Sequence, residues 1–209
     1  MKRPNIFDFA SKKKTVYNNA LRGVYYSEEY EAAICTDAQK IIFDRYEYIP
    51  DYAGEIRDKE NKVIEARFPN ISWIAPLFSD ANKYEAIKID RDKLIAELKE
   101  GIKATKEKRR DMMREIRLKN IGLKNVHLEP IFRLSGETVT RYIGAEDILL
   151  MLDYDSKIDT ILIFKDESKN PMICAHGEYC DIYIVCRNVK DNIVSLKEVS
   201  ENIYYYGGI

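Results

Sequence analysis

"ALRGVYYSEEYEAAICTDAQKIIFDRY", Ala20 to Tyr46, decides the fold class. Leu21 to Tyr26, Tyr30 to Thr36 and Lys40 to Arg45 are short runs rich in Ile, Val, Tyr and Phe, each bounded by polar residues, and they read as three strands. Ser27-Glu28-Glu29 turns the first into the second. Thr36-Asp37 turns the second into the third, because short polar side chains bond nearby backbone amides and reverse the chain. The result is an antiparallel meander.

Working outward, Asp58-Lys59-Glu60-Asn61 is polar where a hairpin tip should be, between Gly54-Glu55-Ile56 and Lys62-Val63-Ile64. Phe68-Pro69 and Ala75-Pro76 bracket a piece that is neither regular helix nor central strand, since each Pro removes an amide donor and restricts the residue before it. An irregular packed crossing is expected there. From Tyr84 the texture changes: "YEAIKID" reads as a strand and the stretch after Asp90, a helix N-cap, as a helix with Leu94, Ile95, Leu98 and Ile102 on one face. "VHLEPIFRL" and "ETVTRYIG" read as strands, and "AEDILLMLDYD" as a short helix with Ile148, Leu149 and Leu152 inward. "DTILIFKDES" and "NPMICAHGEYCDIYIVCRNV" are again strands. Strands outnumber helices, and the helices fall between strand groups, so the expected class is α+β with antiparallel sheets and packed helices. The expected boundary is "FSDANK", Phe78 to Lys83, which divides the chain into modules of residues 1–80 and 81–209.

The 209 residues are 45% hydrophobic and 33% charged, the composition of a folded domain rather than a disordered chain. The net charge is -1, so a nucleic-acid surface would have to be a local patch. One such patch exists: residues 99 to 119 carry nine basic side chains against four acidic ones. Lys99, Lys103, Lys106, Lys108, Arg109, Arg110 and Arg114 are its candidate phosphate contacts, with a solvated helix face as the competing reading. The opening "MKRPNIFDFASKKK" lacks the apolar core of a signal peptide, and no stretch reaches membrane-spanning length, so a cytoplasmic protein with no membrane partner is expected. The four cysteines sit in apolar strand-like runs, as reduced buried thiols do.

Catalytic signatures are missing. There is no G-x-S-x-G and no Gly-rich phosphate loop, and only His127 and His176 could act as a histidine base. Cys174, His176, Cys180 and Cys186 have zinc-type donors, but their spacing fits no standard knuckle, and a hairpin turning at "HGEY" accounts for them. Asp153, Asp155 and Asp159 could hold Mg²⁺, yet the polar end of a helix explains them as well. The expectation is therefore no catalytic residue, no metal and no cofactor.

A series of motifs carries a resemblance to bacterial DNA sliding clamps, the beta subunit of the replicative polymerase. "NALRGVYYSEEYEAAICTDAQKI" resembles their middle module, in which a strand and hairpin lead into Thr-Asp-Gly-His-Arg-Leu; here that hexapeptide stands as Thr36, Asp37, Ala38, Gln39, Lys40 and Ile41. "FPNISWIAP" resembles the clamps' Phe-Pro-Asp-Tyr-x-x-Val-x-Pro. "IDRDKLIAELKEGI", "GAEDILLMLDYDSKIDTILIFKD" and "NPMICAHGEYCDIYIVCRN" are similar to the first helix, the later helix and strand, and the closing hairpin of the third module. Departures are equally definite. Nothing matches the first clamp module, and Thr-Asp reaches Phe-Pro too soon for the usual second helix of the middle one. The closing Met-Pro-Met has become Ile184, Val185 and Cys186, with Arg187 kept.

What the resemblance implies is a non-enzymatic DNA-clamp-like platform that recruits replication or repair partners. In clamps the Thr-Asp turn, the second Pro and the closing strand line an apolar groove for short linear peptides. Carried over, the lining would be Thr36, Ala38, Lys40, Ile41, Pro76, Ile184 and Cys186, with packing between the modules as the competing role. Expected partners are DNA, through nonspecific phosphate contacts, clamp-binding peptide motifs, and a second copy of the chain. The alternatives are a clamp-fold interaction protein that does not encircle DNA, and an enzyme whose site is not recognisable from sequence.

Overall fold

The computed structural model describes residues 4–12, 19–74, 80–118, 128–165, 171–189, 193–196 and 199–206. The chain packs as two compact units, one made of residues 1–88 and 153–185, the other of 89–152 and 186–209. The boundary expected at 78–83 falls within the first of them.

The first unit is built on one eight-stranded sheet. The meander is present as β1 (Val24–Ser27), β2 (Ala32–Thr36) and β3 (Lys40–Asp44), followed by β4 (Ile56–Arg57) and β5 (Tyr84–Lys88). The first expected strand starts late because Ala20–Arg22 forms a 3-10 turn. The hairpin tip is tied by the Asp58 carboxylate, which accepts the amides of Glu60 and Lys62, each at 2.9 Å. The later strands of this unit are β8 (Thr160–Phe164), β9 (Met172–His176) and β10 (Cys180–Val185), and the spatial order is β4-β1-β2-β3-β10-β9-β8-β5. Its central pairing joins distant sequence: β10 lies antiparallel to β3, with Tyr183 opposite Ile41 and Ile184 opposite Lys40. Every residue of β2 is buried, which matches its unbroken apolar run, for a strand covered on both faces needs no polar alternation. One face carries Ile34, Ile41, Phe43, Met172, Cys174 and Tyr183, onto which Ile71 and Ile74 of the irregular 68–74 crossing pack. Among the described residues before Tyr84 the only helical pieces are 3-10 turns, in keeping with the missing second helix.

The second unit combines a four-stranded sheet with helices. Its strands are β6 (Glu129–Ser135), β7 (Thr140–Gly144), β11 (Ile193–Ser195) and β12 (Ile203–Tyr206), in the order β11-β12-β6-β7. Helix α1 spans Arg91–Leu118. Its first turn is capped as expected, the Asp90 side chain accepting the Lys93 amide at 3.2 Å. Leu94, Leu98, Gly101, Ile102 and Thr105 form its buried stripe at helical spacing. Helix α2 spans Ala145–Tyr154 and buries Ile148, Met151 and Leu152, while Leu149 is half-buried. Among the described residues no helix is long and apolar enough to cross a membrane.

Candidate functional site

The Thr36–Ile41 turn is rigid because its side chains bond its own backbone. Thr36 Oγ1 donates to the Lys40 carbonyl at 2.7 Å and accepts the Ala38 amide at 3.0 Å. Asp37 Oδ1 accepts the amides of Gln39 and Lys40 at 2.9 and 3.0 Å, and its Oδ2 holds the Lys40 ammonium at 2.5 Å. These bonds carry Ala38 into the left-handed region at φ 74°, a conformation that glycine adopts at least cost and that the clamps' Thr-Asp-Gly motif also suits. The amide of Val185 donates to the Gln39 carbonyl at 2.8 Å and fixes the turn to the end of β10.

Next to this turn the 68–74 crossing leaves a cavity of about 200 Å³ over the sheet. Thr36, Ala38, Lys40 and Ile41 all line it, joined by Tyr183 and Val185 from β10. Ile184 is fully buried and does not line it, because alternate residues of a strand face opposite sides of the sheet. Pro76 lies outside the described residues, and Cys186, also buried, belongs to the second unit. The apolar lining residues that sequence order does not single out include Leu21, Ile71, Trp73, Ile74, Met172, Tyr183 and Val185. The apolar pattern of the crossing was the available signal for Ile71, Trp73 and Ile74. Burial pushes the Tyr183 phenol above its ordinary range, so its ring faces the cavity uncharged.

Lys99, Lys103, Lys106, Lys108, Arg109, Arg110 and Arg114 are all exposed on α1. At about 100° per residue, Lys99, Lys103, Lys106, Arg110 and Arg114 share one stripe, Arg109 flanks it, and Lys108 points the other way. Lys106 pairs with Glu146 at 3.3 Å, and Arg110 approaches Glu107 at 3.8 Å.

Among the donors weighed for metals, Asp155 and Asp159 have other partners. Burial pushes the thiols of Cys180 and Cys186 up to about 12 and Cys174 well above its ordinary value. Asp155 accepts the amides of Lys157 and Glu178, each at 2.8 Å, and Asp159 accepts the Thr160 hydroxyl. Among the described residues no group of three or more His, Cys, Asp or Glu is placed to hold a metal ion.

No protein-family model matches the sequence, and no curated protein does. Solved structures do match. The DNA polymerase sliding clamp of Pseudomonas aeruginosa aligns with 88% of this chain and 62% of its own at 10% identity and a TM-score of 0.58. A sliding clamp from Bartonella birtlesii bound to griselimycin aligns over 88% of this chain and 63% of its own, at 8% identity and a TM-score of 0.55. For the polymerase beta subunit of Streptococcus pyogenes the shares are 88% and 62%, with 10% identity and a TM-score of 0.52. The chain thus spans less than two thirds of the clamps it matches. Over 88% of its own length it has the fold of the bacterial DNA polymerase III beta sliding clamps.

Proposed function

We propose that this chain is a non-enzymatic, DNA-clamp-like platform that docks short linear peptides of replication or repair proteins while it contacts DNA. The observation that carries the proposal is the apolar cavity beside the Thr36–Ile41 turn, set on a sliding-clamp fold. A preformed apolar pocket bordered by a rigid turn suits an anchor side chain from a flexible segment, since little has to be ordered on the receptor side. DNA would meet the basic stripe of α1, where exposed Lys and Arg side chains recur every three or four residues. A second copy of the chain is a further expected partner, as in a clamp-like assembly, and the working compartment would be the cytoplasm.

Two titrations test this reading. Calorimetry with a peptide bearing adjacent Leu and Phe should give a Kd on the order of micromolar, as a few apolar anchors offset the ordering of the peptide. Binding to labelled duplex DNA should be indifferent to sequence and fall steeply with salt, because phosphate contacts work by counterion release. Replacing Lys103, Arg110 and Arg114 together by Gln should lower the salt slope by about 3. Peptide binding without DNA binding would reassign the chain as an interaction protein on a clamp fold. Absence of both would overturn the proposal.

A further inference from the structure

At the far ends of β3 and β10 from the Thr36–Ile41 turn, a second cavity of about 520 Å³ opens among Asp44, Glu47, Asp153, Asp155, Glu178 and Lys157. Five carboxylates against one ammonium set its charge. Two of the five are committed within the protein: Asp44 accepts the Tyr154 phenol and the amides of Tyr46 and Glu47, and Asp155 accepts the amides of Lys157 and Glu178. Glu47 is exposed and Asp153 half-buried, and neither has an ion-pair partner among the described residues. Among the described residues no three acidic, His or Cys side chains converge closely enough to hold a metal ion, so the negative field is spread over a space that suits a larger cation.

Two aromatic rings border the same space. Tyr46 and Tyr179 are 78% and 52% exposed, with ring centroids 6.0 Å apart and planes inclined at 50°. Their backbones are fixed although the rings lie in water. The Tyr46 amide donates to Asp44 Oδ1 at 2.8 Å, the Arg45 amide donates to the Tyr179 carbonyl at 2.8 Å, and Gly177 turns the hairpin so closely against Asp155 that a Cβ there has no room. A hydrogen bond with Glu178, and then the charge of that carboxylate, pushes the Tyr179 phenol above its ordinary range, so this ring stays neutral. A neutral ring attracts a cation to its face, and unpaired carboxylates beside it attract the same cation by charge. A purely apolar guest would have to dehydrate the carboxylates, and an anion would be repelled. Rings and carboxylates together therefore favour a cation carried on an apolar stem.

We propose that this cavity is a second docking site, which takes an arginine or lysine side chain from a basic segment of a partner protein, Tyr46 and Tyr179 receiving the cationic head and Glu47 and Asp153 supplying its counter-charge. The volume exceeds that of one side chain and leaves room for the backbone that carries it. The site is independent of the apolar cavity beside the Thr36–Ile41 turn, from which Asp44 and Lys40 separate it by four residues of β3, about 13 Å.

The full chain is titrated by calorimetry with the acetylated, amidated peptide Gly-Ser-Arg-Arg-Ser-Gly, and with the same peptide carrying citrulline, a neutral isostere, in place of each arginine. The arginine peptide should bind with a Kd on the order of 0.1 mM, as exposed cation–ring and ion-pair contacts are individually modest, and the citrulline peptide should not bind. Tyr46→Ala with Tyr179→Ala should weaken the arginine peptide by about tenfold without change of net charge, Tyr46→Phe with Tyr179→Phe should stay within about twofold of the parent, and both should melt with the parent because the rings are largely exposed. Glu47→Gln with Asp153→Asn, which leaves the rings in place, should weaken binding by about fivefold or more. Equal binding of the citrulline peptide, or an alanine double variant within about twofold of the parent, would overturn the proposal, since plain surface charge would then account for any affinity. Lys2 and Arg3 precede the lining residue Pro4 in sequence and are the competing occupants. Binding that appears only after Lys2→Ser with Arg3→Ser would assign the cavity to the chain's own start and overturn the partner, and no binding by either chain would overturn the site itself.

Discussion

The phenol of Tyr154, at the end of α2, donates a hydrogen bond of 2.5 Å to the carboxylate of Asp44, at the end of β3, across 110 residues of sequence. Both side chains are buried, and the other oxygen of Asp44 accepts the amides of Tyr46 and Glu47. Burial, and then the bond to Asp44, pushes the Tyr154 phenol above its ordinary range, so it remains a donor at any working pH. Tyr154→Phe keeps the ring and removes the donor to a buried charge. The expected cost is about 1–3 kcal/mol, read as a lower denaturation midpoint. An unchanged midpoint would show that the bond contributes nothing net.

Gly101 is the closest approach of α1 to its sheet. A Cβ placed there would stand 2.7 Å from Cγ2 of Ile203 and 2.8 Å from its Cδ1, and Ile203 is fully buried. In an exposed helix Gly→Ala gains about 1 kcal/mol. Here overpacking opposes it, at about 1–3 kcal/mol, and Gly101→Ala should destabilise. Adding Ile203→Val should recover part of the loss. Urea melts of the single and double variants check this, and a stabilised single variant would contradict it.

How much of this was legible depends on the distance over which each feature is decided. The meander, the Asp58 tip and the Asp90 cap are settled by neighbours a few residues apart, so propensity and turn chemistry find them. The pairing of β3 with β10 is settled by residues far apart in sequence, as Lys40 and Ile184 are at 144 positions, and no local pattern announces it. That pairing also fixes strand parity. Sequence order marks Ile184 and Cys186 of the closing strand, whereas the register turns Tyr183 and Val185 to the cavity; a shift of one residue exchanges the faces of a strand. Asp155 looked like a ligand because sequence shows the carboxylate and hides the amides of Lys157 and Glu178 that it accepts.

Asp181 is held between two cationic or cation-forming neighbours. His176 Nδ1 lies 2.6 Å from its Oδ1, and Arg45 Nη1 lies 2.8 Å from its Oδ2. Burial alone would raise its carboxyl pKa, but hydrogen bonds from His176 and Arg45, with their charges, outweigh burial, and the net shift is downward. A carboxyl lowered in the folded state contributes stability above its unfolded value, about 3.9, and that contribution disappears as pH falls from there through the folded value. Asp181→Asn should therefore be less stable than the parent near neutral pH, and the gap should narrow below about pH 4. Chemical denaturation at pH 7 and pH 3 measures it; a gap independent of pH would rule out the carboxylate as its source.

Ala38 and Cys186 were expected to share a groove, and a lysine placed at each gives opposite results. Ala38 is exposed, lines the cavity, and already has its left-handed φ, which an unbranched side chain adopts at a similar cost to alanine. Ala38→Lys should leave the midpoint within about 0.5 kcal/mol of the parent and weaken the Leu-Phe peptide. Cys186 is 6% exposed, and burial pushes its thiol up to about 12 against the opposing pull of Arg141 and Arg187. A third cation at that position would be desolvated beside two like charges, so Cys186→Lys should cost on the order of 3 kcal/mol or more. Thermal melts separate the two positions, and a calorimetric titration of the folded Ala38→Lys protein follows. Should Ala38→Lys melt far below the parent, or bind the peptide undiminished, the turn is not a wall of the peptide site.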